Sequence, residues 1–295
     1  MAETIPIINR KNLVSFVKCR QNSDGGYSFC YPLYDVEFPS SISETYYALA
    51  VLSILGEGMP ARDRTLGYLK DIQRPDGRYD SPGVAFYAIK SLLLLGEKPE
   101  RLEFVDQLRG ILREYRIFSE QFGGEFFSAD YDTSESPFKL VYYASKTLSM
   151  LNINFEGDVS WLLRFKSDGG FGVGRPDVTA TYHALTVLGN GGYDLEKLHD
   201  TAGFIADCKE ENGGYSSVPA SKPAYIEMTY FAIGALKLLH SKIAGKEKHR
   251  SFIMNLQNGD GGFRRSPYLG ISTLCNSYYA LKALSILGGD DVGSE

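Results

Sequence analysis

The chain has 295 residues, 43% of them hydrophobic and 23% charged, with a formal net charge of −5. This balance excludes a disordered chain, and a pI of about 5.5 without any long basic block speaks against a nucleic-acid partner. No apolar run approaches the roughly 18 residues of a membrane span, and the 31 Gly, 20 Tyr and 17 Phe beside a single Trp are the compositional oddity to be explained.

From the N-terminus onward, Met1 to Val14 lack the apolar core of a signal peptide, so a cytoplasmic protein is expected. Cys19, Cys30, Cys208 and Cys275 form no CxxC pair, which leaves no legible structural zinc site or disulfide framework. The glycines cluster, and the clusters align as a repeat. They read Gln21-Asn-Ser-Asp-Gly-Gly-Tyr27, Gln73-Arg-Pro-Asp-Gly-Arg-Tyr79, Gln121-Phe-Gly-Gly-Glu-Phe126, Phe165-Lys-Ser-Asp-Gly-Gly-Phe171, Lys209-Glu-Glu-Asn-Gly-Gly-Tyr215 and Gln257-Asn-Gly-Asp-Gly-Gly-Phe263. The closing aromatics are spaced by 52, 47, 45, 44 and 48 residues, so six units fill the chain as one domain over 1–295.

A second signature follows each cluster: Thr45-Tyr-Tyr-Ala-Leu49, Ala85-Phe-Tyr-Ala-Ile89, Val141-Tyr-Tyr-Ala-Ser145, Thr181-Tyr-His-Ala-Leu185, Thr229-Tyr-Phe-Ala-Ile233 and Ser277-Tyr-Tyr-Ala-Leu281. Each opens an apolar stretch of helical spacing, such as Leu49, Leu52 and Leu55. Most are expected to stop at glycine, at Gly56, Gly96, Gly189 and Gly288. A more polar helix precedes each glycine cluster, for example Arg64 to Ile72 or His249 to Leu256. The reading is all-α, twelve helices in six hairpins. The glycine clusters read as turns: Gly for positive φ, Asp for the turn's own amides, the aromatic as a plug between helices.

Gln-x-x-x-Gly-x-aromatic followed by a helix opening near Thr-Tyr-x-Ala-Leu resembles the repeats of protein prenyltransferase β subunits, and the squalene and terpene cyclases share a similar motif. The resemblance covers about Lys11 to Gly289 and implies an α/α toroid, six inner and six outer helices around a central cavity. The later helix of each unit is then the inner one. Its two aromatic columns, Tyr46, Phe86, Tyr142, Tyr182, Tyr230, Tyr278 and Tyr47, Tyr87, Tyr143, His183, Phe231, Tyr279, diverge by about 100° on the helix. The resemblance assigns the second column chiefly to the cavity and the first to packing between helices. Such a wall suits an isoprenoid, whose carbocations π-faces stabilise.

Protein prenyltransferases use zinc held by Asp, Cys and His. The matching positions here carry Tyr225, Glu227 and Asn276, so the family's ligands are missing and no zinc is expected; Mg2+ stays open as a cofactor. A substitute site from Glu227, Cys275 and His183 is conceivable, against their reading as wall and packing residues. Lys222 stands where the family places a Lys near the isoprenoid diphosphate, and Arg175, Arg264 and Arg265 lie in corresponding loops, so converging cations are expected to hold a diphosphate. The cyclases' Asp-x-Asp-Asp is reduced to Asp177, at the position of the general acid and equally a helix N-cap. Asp130 and Asp132 add an acidic pair, and Glu44 and Lys139 add charge near the same mouth.

The resulting expectation is a zinc-independent, prenyltransferase-like or terpene-cyclase-like protein. Tyr47, Tyr87, Tyr143, His183, Phe231 and Tyr279 would hold the polyprenyl chain, Lys222, Arg175 and Arg264 its diphosphate, and Asp177 or Glu227 would move a proton. The alternatives are a non-catalytic lipid- or partner-binding toroid, with a partner subunit or homodimer, and a glycan-active toroid with paired carboxylates.

Overall fold

The computed structural model describes residues 8–31, 37–122, 137–154, 157–268 and 270–288. The third glycine cluster beyond Phe122 and the Asp130–Asp132 pair lie outside the described residues. Six inner helices form the ring: α2 (Ile42–Ile54), α4 (Pro82–Leu94), α6 (Pro137–Met150), α7 (Val178–Asn190), α9 (Ile226–Leu238) and α11 (Leu274–Ile286). Each packs on the next, and α11 packs on α2, so the ring closes. Five outer positions hold α1 (Arg10–Lys18), α3 (Arg62–Asp71), α5 (Phe104–Phe122), α8 (Thr201–Asp207) and α10 (Lys246–Met254). The remaining one holds a 3-10 helix, Ser160–Phe165, which completes six hairpins among the described residues; a short 3-10 turn, Leu195–Leu198, precedes α8. No described helix is long and apolar enough to cross a membrane.

Burial follows from position in the ring. In α2 every residue from Thr45 to Leu52 is buried, because an inner helix meets two inner neighbours, an outer helix and the axis. In α1 only Leu13, Phe16 and Val17 are buried, a single stripe. Gly56, Gly96 and Gly288 take positive φ just past their helices. Gly189 differs from expectation: α7 runs through it to Asn190 and is capped by Gly191.

The glycine clusters do more than turn the chain. Gly25 has φ +86°, and a Cβ there would stand 2.4 Å from the Arg64 carbonyl carbon of the next outer helix. Gly213 meets the Lys248 carbonyl oxygen at 2.2 Å, and Gly261 meets the Asn12 carbonyl carbon at 2.2 Å, which joins the last unit to the first. The second glycine of each pair leaves room for a ring of the next outer element: Tyr68 over Gly26, Phe204 over Gly170, Phe252 over Gly214, Phe16 over Gly262. The Gln of the motif completes the seam. Gln21 Nε2 donates to Gly25 O, Pro60 O and Thr65 Oγ1, and Gln257 Nε2 to Gly261 O and Asn9 O.

The closing aromatics Tyr27, Phe171, Tyr215 and Phe263 are fully buried. Their backbone N–H groups donate to Thr45, Thr181, Thr229 and Ser277, the hydroxyl residues that precede the first aromatic column. Each buried N–H would otherwise lack an acceptor. In the fourth unit the same turn forms two short antiparallel strands, β1 (Lys166–Ser167) and β2 (Gly170–Phe171). The seams thereby fix where each inner helix begins, and with it the level of its first aromatic turn.

Candidate functional site

The inner helices enclose a cavity of about 470 Å3, within the usual range of ligand pockets, ~300–1,000 Å3. Its wall is aromatic. Tyr47, Tyr87, Tyr143, His183, Phe231 and Tyr279 of the second column line it, and so do Tyr46, Phe86, Tyr142, Tyr230 and Tyr278 of the first. The expected division of labour between the columns is therefore not observed. The axis of a six-helix ring is narrow, and rings from adjacent positions both reach it. They meet tilted or edge to face, as between Tyr47 and Tyr87 at 5.6 Å, the geometry favoured by ring quadrupoles.

The phenols form chains across helices. Tyr47 Oη lies 2.9 Å from Tyr87 Oη and 3.5 Å from Tyr279 Oη, and Tyr87 Oη lies 3.0 Å from Tyr143 Oη. Tyr46 Oη donates to Tyr278 Oη at 2.9 Å. Burial raises the proton affinity of Tyr46, Tyr47, Tyr142, Tyr230, Tyr278 and Tyr279 well above the ordinary phenol, so these hydroxyls stay neutral. His183 stacks on Tyr142 at 4.4 Å. Burial, aided by the charge of Lys139, pulls its pKa down to about 3. It is a neutral wall residue, and its Nδ1 has no hydrogen-bond partner.

At the mouth, formed by the N-terminal turns of the inner helices, Glu227 Oε1 accepts from Arg265 Nε and Nη2, both at 2.5 Å. The guanidinium lies over the Tyr225 ring at 4.2 Å. Glu227 Oε2 is buried without a partner. Lys139, Thr179, Met228, Cys275 and Asn276 complete this rim. Burial drives the Cys275 thiol up to about 12, despite hydrogen bonds with Tyr47 and Tyr279, so it is no thiolate. Glu44 is raised to about 7 by burial, against the pull of Arg20. At the opposite end Lys90 reaches the cavity, its Nζ 4.2 Å from the Tyr46 ring centroid. Burial, with repulsion from Lys146 and Lys282, lowers its pKa to about 7.

The other expected site residues stand elsewhere. Asp177 caps α7, its Oδ1 accepting from Ala180 N at 2.9 Å, and does not line the cavity. Lys222 and Arg175 are exposed in their loops, outside the lining. Arg264 folds back onto the end of α10, donating to Asn255 O at 3.2 Å, and the mouth is occupied by its neighbour Arg265. Lys90 was not anticipated. Its signal in the sequence is a basic residue one turn past the first aromatic column, inside an otherwise apolar helix.

The positions that correspond to the prenyltransferase zinc ligands do not suit a metal. Tyr225 stacks under a cation, Glu227 is paired with that same cation, and Asn276 offers a neutral amide. No group of three His, Cys, Asp or Glu side chains able to hold a metal forms among the described residues, so Glu227, Cys275 and His183 do not assemble one there.

The chain matches the family model described as the prenyltransferase alpha-alpha toroid domain over residues 2–84, 79–178 and 220–294. No curated protein matches the sequence. Among solved structures it is similar to Candida albicans protein geranylgeranyltransferase-I complexed with GGPP, at 15% identity and TM-score 0.64, covering 95% of this chain and 92% of that one. It is also similar to an Asp-to-Asn variant of the type II terpene cyclase MstE from Scytonema in complex with geranylgeranyl dihydroxybenzoate, at 13% identity and TM-score 0.58, covering 94% and 95%. A glycosidase in complex with glucose follows at 12% identity and TM-score 0.51, covering 95% and 96%. Likeness at such identities concerns the fold.

Proposed function

The chain belongs to the prenyltransferase alpha-alpha toroid family, and from that premise we propose that it takes an isoprenoid chain into its aromatic shaft and handles it without zinc. The observation that carries this reading is the shaft itself, a largely apolar cavity of about 470 Å3 to whose wall every inner helix contributes, five with a pair of adjacent aromatic rings and α7 with His183. Branched hydrocarbon fills such a space through dispersion, and π-faces stabilise an allylic cation formed inside it. The neutral imidazole of His183 and the neutral phenols add polarisable surface without a competing charge. Glu227, the one carboxylate on the described lining, stands at the mouth, where it accepts a proton or balances a developing positive charge. Asp177 has no acid role in this reading, because its carboxylate is spent on capping α7. A glycan site would want two carboxylates facing one bond, and the described lining offers one.

A non-catalytic carrier is the second reading. It is favoured by the engagement of both expected carboxylates, Asp177 with a helix N-terminus and Glu227 with Arg265. Incubation with geranyl, farnesyl and geranylgeranyl diphosphate separates the two. Saturable binding with diphosphate release or a new hydrocarbon product marks the enzyme, and saturable binding without turnover marks the carrier. Phe231→Ala removes a ring from the wall and is expected to weaken binding about tenfold, about 1.4 kcal/mol. Absence of saturable binding for all three diphosphates overturns the isoprenoid reading.

A further inference from the structure

The end of the ring opposite the mouth has a chemistry of its own. Four residues after the first aromatic column, the inner helices carry Ala50, Lys90, Lys146, Thr186, Gly234 and Lys282. Residues four apart lie on one helix face, so the three lysines follow the axis-facing rings one turn farther along. Lys90 is the best defined. Its Nζ lies 4.2 Å, 4.6 Å and 5.8 Å from the ring centroids of Tyr46, Phe86 and Tyr278, which places it between α2, α4 and α11. The positive charges of Lys146 and Lys282 act on Lys90, and those of Lys146 and Lys237 act on Lys282. Lys90, Lys146 and Lys282 are half-buried.

Among the described residues no carboxylate is paired with Lys90, Lys146 or Lys282, whereas Lys18, Lys70, Lys166 and Lys197 form ion pairs elsewhere. Like charges gathered on a narrow axis repel one another, and partial burial strengthens the repulsion. The C-terminal ends of the inner helices lie at this face and offset part of the repulsion, an effect that fades beyond the last turn. An aromatic floor on one side, solvent on the other and amines able to carry positive charge between them suit an anionic ligand.

We propose that the far end of the ring is a binding site for a phosphoryl anion of two or more charges, held by Lys90, Lys146 and Lys282. The ligand is inorganic diphosphate or the head of a prenyl diphosphate, since several ammonium groups around one axis match several anionic oxygens around one centre. The site stands apart from the mouth cations and does not depend on the isoprenoid reading.

The test uses the full chain in a buffer of low ionic strength, free of phosphate and sulfate, with inorganic diphosphate as probe. Calorimetric titration is expected to show saturable binding. Lys90→Met, Lys146→Gln and Lys282→Gln are each expected to weaken it about tenfold or more, whereas Lys222→Gln and Arg175→Gln leave it unchanged. Thermal unfolding supplies an opposite sign. Without anion, Lys146→Gln and Lys282→Gln should melt above the parent chain because repulsion is relieved, and with diphosphate the parent chain should gain more than either variant. Displacement of the probe by geranylgeranyl diphosphate but not by geranylgeraniol identifies the lipid head as the occupant. Binding of the prenyl diphosphate without displacement identifies the free anion. The proposal is overturned if diphosphate neither binds nor raises the melting temperature, if the lysine variants bind it as the parent does, or if those variants melt lower in the anion-free buffer.

Discussion

The seams at the rim and the shaft on the axis are written by the same repeat, and they treat polar groups in opposite ways. At the seams the turn amides are used, although the hydroxyls of the plugs Tyr27 and Tyr79 are buried without partners. The motif Asp accepts from the second following residue's N–H, the Gln amide ties its turn to the next unit, and the threonines take the buried amides of the plugging aromatics. On the axis, by contrast, His183 Nδ1 and Glu227 Oε2 are buried without partners, and Lys90 feels the charges of Lys146 and Lys282. Repetition produced the shared backbone and amide hydrogen bonds of the seams, and the departures from repetition produced the charges and the imidazole on the axis. His183 interrupts a column of Tyr and Phe, Glu227 and Lys139 interrupt the first turns, and Lys90, Lys146 and Lys282 occupy three of six equivalent positions. A scaffold needs each seam to be the same. A ligand site needs its six walls to differ.

The largest expected effect falls on the seam that closes the ring. Gly261→Ala places a Cβ 2.2 Å from the Asn12 carbonyl carbon at a φ of +91°, and both faults are in the backbone, where no side chain can swing aside. A cost of about 3–5 kcal/mol is expected in urea unfolding. Gly67→Ala is the control, in an exposed turn of α3 with nothing within 4 Å, and should stabilise by about 0.5–1 kcal/mol. Equal effects at the two positions would dissolve the distinction between seam and surface.

The seam between the fifth and sixth units gives the next effect. His249 is fully buried, with Nδ1 accepting from Gly214 N–H, so its Nε2 carries the proton and donates to Ala244 O. Burial lowers its pKa from 6.5 to about 4. A group whose folded value is depressed stabilises the fold above the unfolded value and loses that contribution as pH falls. Stability should therefore drop by about 3 kcal/mol between pH 6.5 and 4 on this account. His249→Gln, which keeps one acceptor and one donor, should flatten the decline by a similar amount. A variant that reproduces the parent's pH profile would show that the seam does not require a neutral imidazole.

The same contrast explains what was legible in the sequence. Six aligned glycine clusters and six aromatic pairs revealed the ring, because weak local signals add when they recur. The short outer element Ser160–Phe165 was harder to read: Gly157 and Asp158 open it, and only a few residues remain before the turn. The cavity wall was legible as a ring of aromatics, but its second layer was not, since 100° between neighbours says nothing of how narrow the axis is. Arg264 was expected to hold the diphosphate, but neighbours on extended backbone point to opposite faces, and the structure puts Arg265 at the mouth instead. Lys90 carries no local signal beyond its charge, and its place on the axis is legible only in register with Lys146 and Lys282.

The smallest stability effect is expected on the axis, and it sharpens the comparison most. Tyr47→Phe removes one hydroxyl from the chain that runs from Tyr279 through Tyr47 and Tyr87 to Tyr143. The ring itself stays, Tyr87 keeps its bond to Tyr143, and Tyr279 and Cys275 keep their bond to each other, so no buried partner is stranded. The cost to folding should stay within about 1 kcal/mol. The phenol contributes to the fold only through a neutral hydrogen bond. Its affinity for an apolar chain rests on the ring face that phenylalanine preserves, so binding of geranylgeranyl diphosphate should be unchanged within about twofold, whereas Phe231→Ala, which deletes a face, weakens it. A large loss of stability from Tyr47→Phe would mean that the shaft, like the seams, is structural framework held by its polar groups, and the separation of scaffold from site along this repeat would fail at its central residue.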